Sequence, residues 1–474
     1  MKRLSRPIPI LAAAAVALAT PVPAATQVPT DPYMASKGTW GQTYSDSWWT
    51  DRVGLGSGPQ SAWRKMPANA QPVVVAVIDS GLDWNHLDIS YENLWKNPRE
   101  IADNGIDDDG NGYIDDIIGW NFFDNSNLPW DHDGHGTFVA GQIAAGWNND
   151  VGIAGINSRA RIMVLRALNS FGNTRASYVA RAITYAADNG ARIINLSIGG
   201  PGMTQVEREA IRYATAKGVL IIVAAGNDGK PVEGFGLASM EQVITVGAAG
   251  LDGLRAPFSN YGPAIDLLAP GVDILSLRAR RTDTLRDIPG TEYVAGGAYV
   301  GADKRYYRAS GTSFAAPIVT GIASLLLSRS PSLTAAQLRN ILTSSARDVG
   351  APGVDQFSGY GLVDAAAALA ARPDSFINAA ISGVEVVQTG TGPGVAVKGS
   401  LAADSLQSAY IEIGSGENPK TWVRVIDPVK ANTGGLLGII PADRFRGATV
   451  WIVRLVVVGS NGQNREARFR LSLG

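Results

Sequence analysis

Three short segments set reactive side chains beside glycine: Ile78-Asp79-Ser80-Gly81, Gly134-His135-Gly136-Thr137 and Gly311-Thr312-Ser313-Phe314-Ala315-Ala316-Pro317. A serine hydroxyl is a weak nucleophile and needs a base within hydrogen-bond reach. The chain holds three histidines, His86, His132 and His135, so the choice of base is narrow. Glycine on both sides of His135 permits close backbone approach and leaves the imidazole reachable. Each residue also has an ordinary structural reading: Asp79 as a cap or ion-pair partner, His135 as a packed histidine, Ser313 as a helix cap. Their conjunction points to nucleophilic catalysis, in which His135 takes the Ser313 proton and Asp79 holds the ring in one tautomer. A fourth segment, Ala224-Ala225-Gly226-Asn227, ends an apolar run. The Asn227 amide, the Ser313 N–H and the helix dipole behind it are suited to stabilise an oxyanion. Asn227 can also be read as a turn residue in Asn-Asp-Gly.

Such groups need a scaffold that delivers them to one place. Val73–Ile78 is a short continuous apolar run, as expected of a strand buried on both faces. Further strand candidates lie at 161–168, 191–196, 219–225, 242–248 and 265–269, with helix-period stretches at 175–189 and 206–217. Strand alternating with helix predicts a doubly wound, mostly parallel α/β sheet, which presents side chains just past the carboxyl ends of its strands. Asp79 stands at such an end. From about 373 the pattern changes to seven short strand-like runs separated by Gly, Asn, Asp and Pro, which predicts an all-β, sandwich-like domain. No chemistry is visible there, and a stabilising module is its simplest reading. The expected organisation is a signal peptide over 1–25, a Trp-rich N-terminal arm over 26–70, a catalytic domain over 71–372 and the β domain over 373–474.

Composition narrows the function classes. A length of 474 residues suits two or three domains, and 45% apolar residues exclude disorder. The net charge of −1 gives no sign of a nucleic-acid binder. The absence of cysteine excludes disulfides, thiolate metal sites and a cysteine nucleophile. Lys2, Arg3 and Arg6 precede an apolar run from Ile10 to Ala19, and Val22 and Ala24 supply a small-residue cleavage pattern. That is the layout of a secretory signal, too short to span a bilayer. The expected product is secreted, extracellular or periplasmic, with no membrane insertion and a monomeric state.

Taken together, these motifs resemble those of the subtilisin-like serine proteases (subtilases, peptidase family S8). Val77-Ile78-Asp79-Ser80-Gly81, Gly134-His135-Gly136-Thr137, Ala225-Gly226-Asn227 and Gly311 to Pro317 carry the resemblance, in the Asp-His-Ser order of subtilisin. It implies a secreted serine endopeptidase acting on proteins or peptides through an acyl-enzyme, with Asp79, His135 and Ser313 as the triad and Asn227 as oxyanion donor. Asn195 to Gly200 resembles the family's substrate-binding edge, where an extended peptide adds as a β-strand. Ser197, Ile198, Gly199, Ala224, Ala225 and Gly226 would contact substrate, and their lack of charge implies a neutral or apolar preference. Ile318 stands where the family usually has histidine. Secreted subtilases usually carry a longer prosegment than residues 26–72 could supply, so folding without one is expected. The competing readings are an inactive subtilase scaffold acting as a binding module, a sedolisin-type acid protease, and an esterase. The intact triad opposes the first, His135 in Gly-His-Gly-Thr the second, and the missing Gly-x-Ser-x-Gly elbow the third.

Between Asp79 and His135 lies an acidic insert. Asp107, Asp109, Asn111, Tyr113 and Asp115 occupy positions 1, 3, 5, 7 and 9 of an EF-hand-like loop, with Gly112 at position 6. Oxygen ligands at this spacing suit a structural Ca²⁺. Ile118 stands where the bidentate glutamate belongs, so the shell needs help from Glu100, Asp116 or water. The plain alternative is a solvated acidic turn.

Overall fold

The computed structural model describes residues 28–282, 298–390, 392–429, 435–460 and 462–473. The expected signal peptide lies outside the described residues. Seven parallel strands form the main sheet: β1 Val73–Asp79, β2 Gly119–Asn121, β3 Ala160–Arg166, β4 Ile193–Leu196, β5 Leu220–Ala224, β6 Ile244–Ala249 and β7 Leu267–Pro270. Their order is β2-β3-β1-β4-β5-β6-β7, so the chain reverses its direction of winding at β1. In such sheets the crevice beyond the strand ends at the reversal is where ligands bind. Asp79, the last residue of β1, stands there. The three-residue β2 was not anticipated, because so short a run carries no periodicity.

The helices are α1 Pro32–Ala35, α2 Trp49–Arg52, α3 His135–Ala144, α4 Ala176–Asp188, α5 Gln205–Ala216, α6 Thr312–Arg329, α7 Ala335–Ser344 and α8 Ala365–Ala370. Successive side chains of a strand face opposite sides of its sheet. Val73, Val75 and Val77 accordingly enter one core with α3, α6 and the arm tryptophans Trp48, Trp49 and Trp63. Ala76 and Ile78 enter the other, with Val179, Ile183 and Ile211 of α4 and α5. Helix α6 is long and apolar enough to cross a membrane, yet 16 of its 18 residues are buried inside the protein, which marks it as the central core helix. Ile318 is fully buried in that core.

The arm is tied down by specific bonds rather than by apolar contact alone. Trp63 Nε1 donates to Ile156 O at 2.8 Å, and Trp40 Nε1 to Asp273 Oδ2 at 3.1 Å. A small antiparallel sheet, β8 Ile274–Leu277, β9 Tyr299–Val300 and β10 Tyr306–Ala309, lies in the order β8-β10-β9.

Among the described residues the C-terminal part holds seven antiparallel strands: β11 Ile377–Thr389, β12 Gly392–Ala403, β13 Leu406–Ser415, β14 Val423–Ile426, β15 Leu436–Pro441, β16 Val450–Gly459 and β17 Asn464–Ser472. They form a sheet β11-β12-β15 and a sheet β14-β13-β16-β17, which share one apolar core containing Ile381, Val397, Ile411, Val453 and Leu455. This unit is stitched to the α/β part through backbone: Val354 N donates to Glu466 O at 2.7 Å and Arg468 N to Val354 O at 2.6 Å.

Candidate active site

Asp79 and His135 come from different elements, the end of β1 and the first turn of α3, and they meet because the two backbones touch. A Cβ on Gly136 would fall 2.3 Å from Gly81 O and 3.2 Å from Asp79 Cβ, so only glycine lets α3 approach β1 this closely. His135 Nδ1 then lies 2.8 Å from Asp79 Oδ1, which also accepts Ser80 N at 2.7 Å. Asp79 is buried at 1% side-chain exposure, while His135 keeps 18%, enough to be reached from the cleft. Asp79 Oδ2 is buried with no hydrogen-bond partner among the described residues.

A second buried carboxylate holds this pair in register. Asp131 Oδ1 accepts from Ser80 Oγ, Asp133 N and Gly134 N, and its Oδ2 from Thr137 N and Thr137 Oγ1, at 2.6 to 3.0 Å. Ser80 Oγ in turn accepts Gly136 N at 2.8 Å. The end of β1 and the start of α3 are thus clamped across Asp131, which stands four positions before His135 and outside the Gly134–Thr137 motif. Negative charge accumulates around the imidazole. Burial alone would lower the His135 pKa, but the Asp79 carboxylate, by charge and hydrogen bond, with Asp133 and Asp131 behind it, outweighs burial and raises it above the usual histidine range. Asp133, whose Oδ1 accepts His135 N at 3.2 Å, is itself pushed up to about 6, chiefly by burial.

Ser313 occupies the first turn of α6. Its hydroxyl donates to Ser197 O at 3.0 Å, while Ser197 Oγ donates to Ser313 O at 2.7 Å. No hydrogen bond joins Ser313 Oγ to the His135 ring among the described residues, although both residues line one cleft with Asn227, Ser197, Ile198 and Gly199. Catalytic hydrogen bonds are commonly long or misaligned in the absence of substrate.

Asn227 is oriented by Thr312. Its Oδ1 accepts Thr312 N at 2.8 Å and Thr312 Oγ1 at 3.0 Å, so the Nδ2 end remains to donate into the cleft. Thr312 Oγ1 also accepts Gly226 N, and Asn260 bonds Ala225 O, Asp228 N and Lys230 N, which shapes the whole 225–230 turn. Asn260 went unnoticed in the sequence because it lies 33 positions beyond Asn227 with no motif around it. His86 is buried with both ring nitrogens on backbone, Nε2 to Arg305 O and Nδ1 accepting Asp88 N. His132 is exposed.

The acidic loop gathers only part of its expected set. Carboxylate oxygens of Glu100, Asp107 and Asp109 lie within 4.8 Å of one another, spacing that suits a shared cation. Glu100 is the carboxylate from outside the loop that joins this group. Asn111 Oδ1 accepts Tyr113 N at 2.8 Å. Asp115 is turned elsewhere: with φ of +54° its carboxylate caps Asn104 N and Gly105 N at 3.1 and 3.0 Å. Asp116 is engaged beneath the loop by Asn97, Asn111 and Tyr185.

The model of the subtilase family matches residues 70–361. The chain belongs to the subtilase family. It is 40% identical over 255 residues to a thermophilic serine proteinase of Bacillus sp. strain AK1, and 33% identical over 332 residues to a cell wall-associated protease of Bacillus subtilis strain 168. Those alignments cover 54% and 65% of this chain, but only 52% and 33% of the two relatives' own lengths. Thermitase of Thermoactinomyces vulgaris is 32% identical over 279 residues, 59% of this subtilase and 82% of thermitase. Among solved structures, a protease from Pseudoalteromonas arctica PAMC 21717 superposes with a TM-score of 0.55 at 27% identity, covering 73% of this chain and 99% of that one. The doubly wound sheet of this subtilase is therefore the family's fold.

Proposed function

We propose that this subtilase is a secreted serine endopeptidase that cleaves peptide bonds through an acyl-enzyme. The observation that carries this reading is the 2.8 Å Asp79–His135 hydrogen bond opening onto the cleft that also holds Ser313 and Asn227. Ser313 Oγ leaves Ser197 O, turns toward His135 Nε2, gives up its proton there and attacks the substrate carbonyl. Asp79 stabilises the imidazolium through Nδ1. The oxyanion is held by Asn227 Nδ2 and the Ser313 N–H at the N-terminus of α6. His135 then passes the proton to the leaving amine, and a water deprotonated by His135 releases the acyl group from Ser313. The peptide pairs with the edge formed by Ser197, Ile198 and Gly199. Its primary side chain enters between that edge and Ala224, Ala225 and Gly226, where no charge awaits it.

Calcium, which subtilases generally bind, would be held by Asp107, Asp109 and Glu100, with the side chain of Asn111 and the backbone of Tyr113 nearby. Its role there is to neutralise the three carboxylates and stiffen the loop, since the loop contributes no residue to the cleft. Asp115 belongs to this shell only through the backbone bond of its N–H to Glu100 Oε2 at 3.0 Å.

The test is labelling with a serine-directed phosphonate, with casein digestion assayed in parallel. The full-length mature protein should be labelled and active, and Ser313→Ala should be neither. A folded wild type that shows no label and no digestion favours the inactive binding scaffold instead.

A further inference from the structure

We propose that Phe235 closes the primary specificity pocket to all but small side chains, so that this subtilase cleaves after glycine, alanine or serine. The inference rests on the proposed endopeptidase reading and on the pocket lying between the edge at Gly199 and the turn at Gly226. Both walls are glycine, so neither side chain fills the space between them. The ring of Phe235 reaches into it. An ideal Cβ on Gly199 would lie 2.8 Å from Phe235 Cε1, and one on Gly226 would lie 2.6 Å from both Cε1 and Cζ. One edge of the same ring therefore reaches both walls and spans the gap. Gly226 has φ of +98°, a conformation that itself demands glycine.

The ring is held there by its backbone. Phe235 separates two 3₁₀ turns, Val232–Gly234 and Gly236–Ser239, with Phe235 N donating to Val232 O at 2.8 Å and Ala238 N to Phe235 O at 3.1 Å. The first turn is bonded to the substrate edge through Gly202 N to Gly234 O at 3.1 Å, and to the opposite side through Val232 N to Tyr261 O at 2.7 Å. Gly236 is pressed so closely on this edge that a Cβ there would meet Gly202 O at 2.7 Å and Gly200 O at 2.8 Å. The loop has no slack to carry the ring away. Phe235 also packs on the buried core beneath α4 and α5, so turning it out would open a void in that core. A large aromatic or aliphatic substrate side chain needs a slot of its own size, and here a protein ring that lines the cleft reaches across it. A methyl or hydroxymethyl group needs only the mouth.

The experiment profiles the mature wild type on a series of peptide anilides differing only at the residue before the scissile bond, with Ser313 labelling as a separate readout. Alanine should exceed phenylalanine and leucine by about tenfold or more in kcat/KM, and mass mapping of digested casein should show cuts after small residues. Phe235→Ala should narrow or invert that ratio. Labelled enzyme that cuts after phenylalanine or leucine as readily as after alanine overturns this inference and leaves the endopeptidase reading intact. Absence of both label and cleavage overturns the two together. The wild-type profile decides the matter even if Phe235→Ala does not fold.

Discussion

Ser197 and Ser313 exchange two hydrogen bonds, hydroxyl to carbonyl in each direction. One of them explains a residue four positions along the chain. In a regular helix the Ser313 carbonyl would accept the N–H of residue 317. Pro317 has no N–H, so the carbonyl is left for Ser197 Oγ. The proline thus costs α6 one internal bond and ties the helix bearing the proposed nucleophile to the proposed substrate edge. Ser197→Ala removes the partner of a half-buried carbonyl and should destabilise the fold by about 1 kcal/mol. Denaturant midpoints at constant m-value measure this, and an unchanged midpoint would show that the bond carries no weight.

Asn227 is fixed at its carbonyl end by Thr312, which predicts a graded loss. If Asn227 is the oxyanion donor proposed above, Asn227→Ala should lower kcat with little change in KM, by the ~10²–10³ that loss of such a donor costs in subtilisin. Thr312→Val removes the hydroxyl that orients Asn227 and accepts Gly226 N, leaves the Thr312 N–H to Asn227 Oδ1, and should cost less, about tenfold to a hundredfold. Steady-state kinetics on one anilide substrate separates the two. Equal losses would mean that Thr312 does more than aim the amide.

The carboxylates around His135 set the pH range. A general base works when neutral, and these charges favour the imidazolium. The acid limb of kcat/KM should therefore lie above the ordinary histidine value of about 6.5, with activity lost as pH falls through it. Asp133→Asn removes one negative charge, destabilises the imidazolium and should move the limb to lower pH. The shift should be on the order of half a unit, less than for a directly paired charge. A limb that stays in place, or moves upward, would contradict this electrostatic account.

Glu100, Asp107 and Asp109 bring three negative charges together, offset in part where Arg99 Nη2 pairs with Asp109 Oδ2 at 3.0 Å. Calcium at one hundred times its Kd should stabilise the protein by about 2.7 kcal/mol, and chelation should remove that gain. Replacing Asp107 and Asp109 together by asparagine should make the melting temperature indifferent to calcium, whereas Asp115→Asn should leave the calcium response largely in place. Identical melting curves for wild type with calcium and with chelator would remove the metal from the loop.

Much of this molecule could be read along the chain because the signals are local. The buried runs of β1 and β3 to β7 are continuous in sequence, as both faces of those strands are covered, and the seven β-domain runs are marked by their turn residues. Asp79, His135, Ser313 and Asn227 each sit in a short motif whose glycines and neighbours announce them. The acidic loop was legible as spacing. What could not be read is how side chains far apart in sequence share space. Asp131 was on view beside His135, but its clamp on Ser80 needs β1 and α3 in contact. Asn260 and Phe235 carry no motif, since their effect comes from backbone groups and glycines that folding brings to them. Asp115 had the right position number but the wrong backbone conformation, which turned its carboxylate to another pair of amides.

Residue types and their spacing alone determined the class of sheet, the order of the reactive groups and the neutral character of the pocket walls, because each depends on covalent neighbours or on a repeating pattern. Tertiary structure decided the resting partner of the Ser313 hydroxyl, the aim of Asn227, the makeup of the acidic cluster and the place of the Phe235 ring against Gly199 and Gly226. Those depend on distances between atoms many residues apart, which chain closure and packing set together.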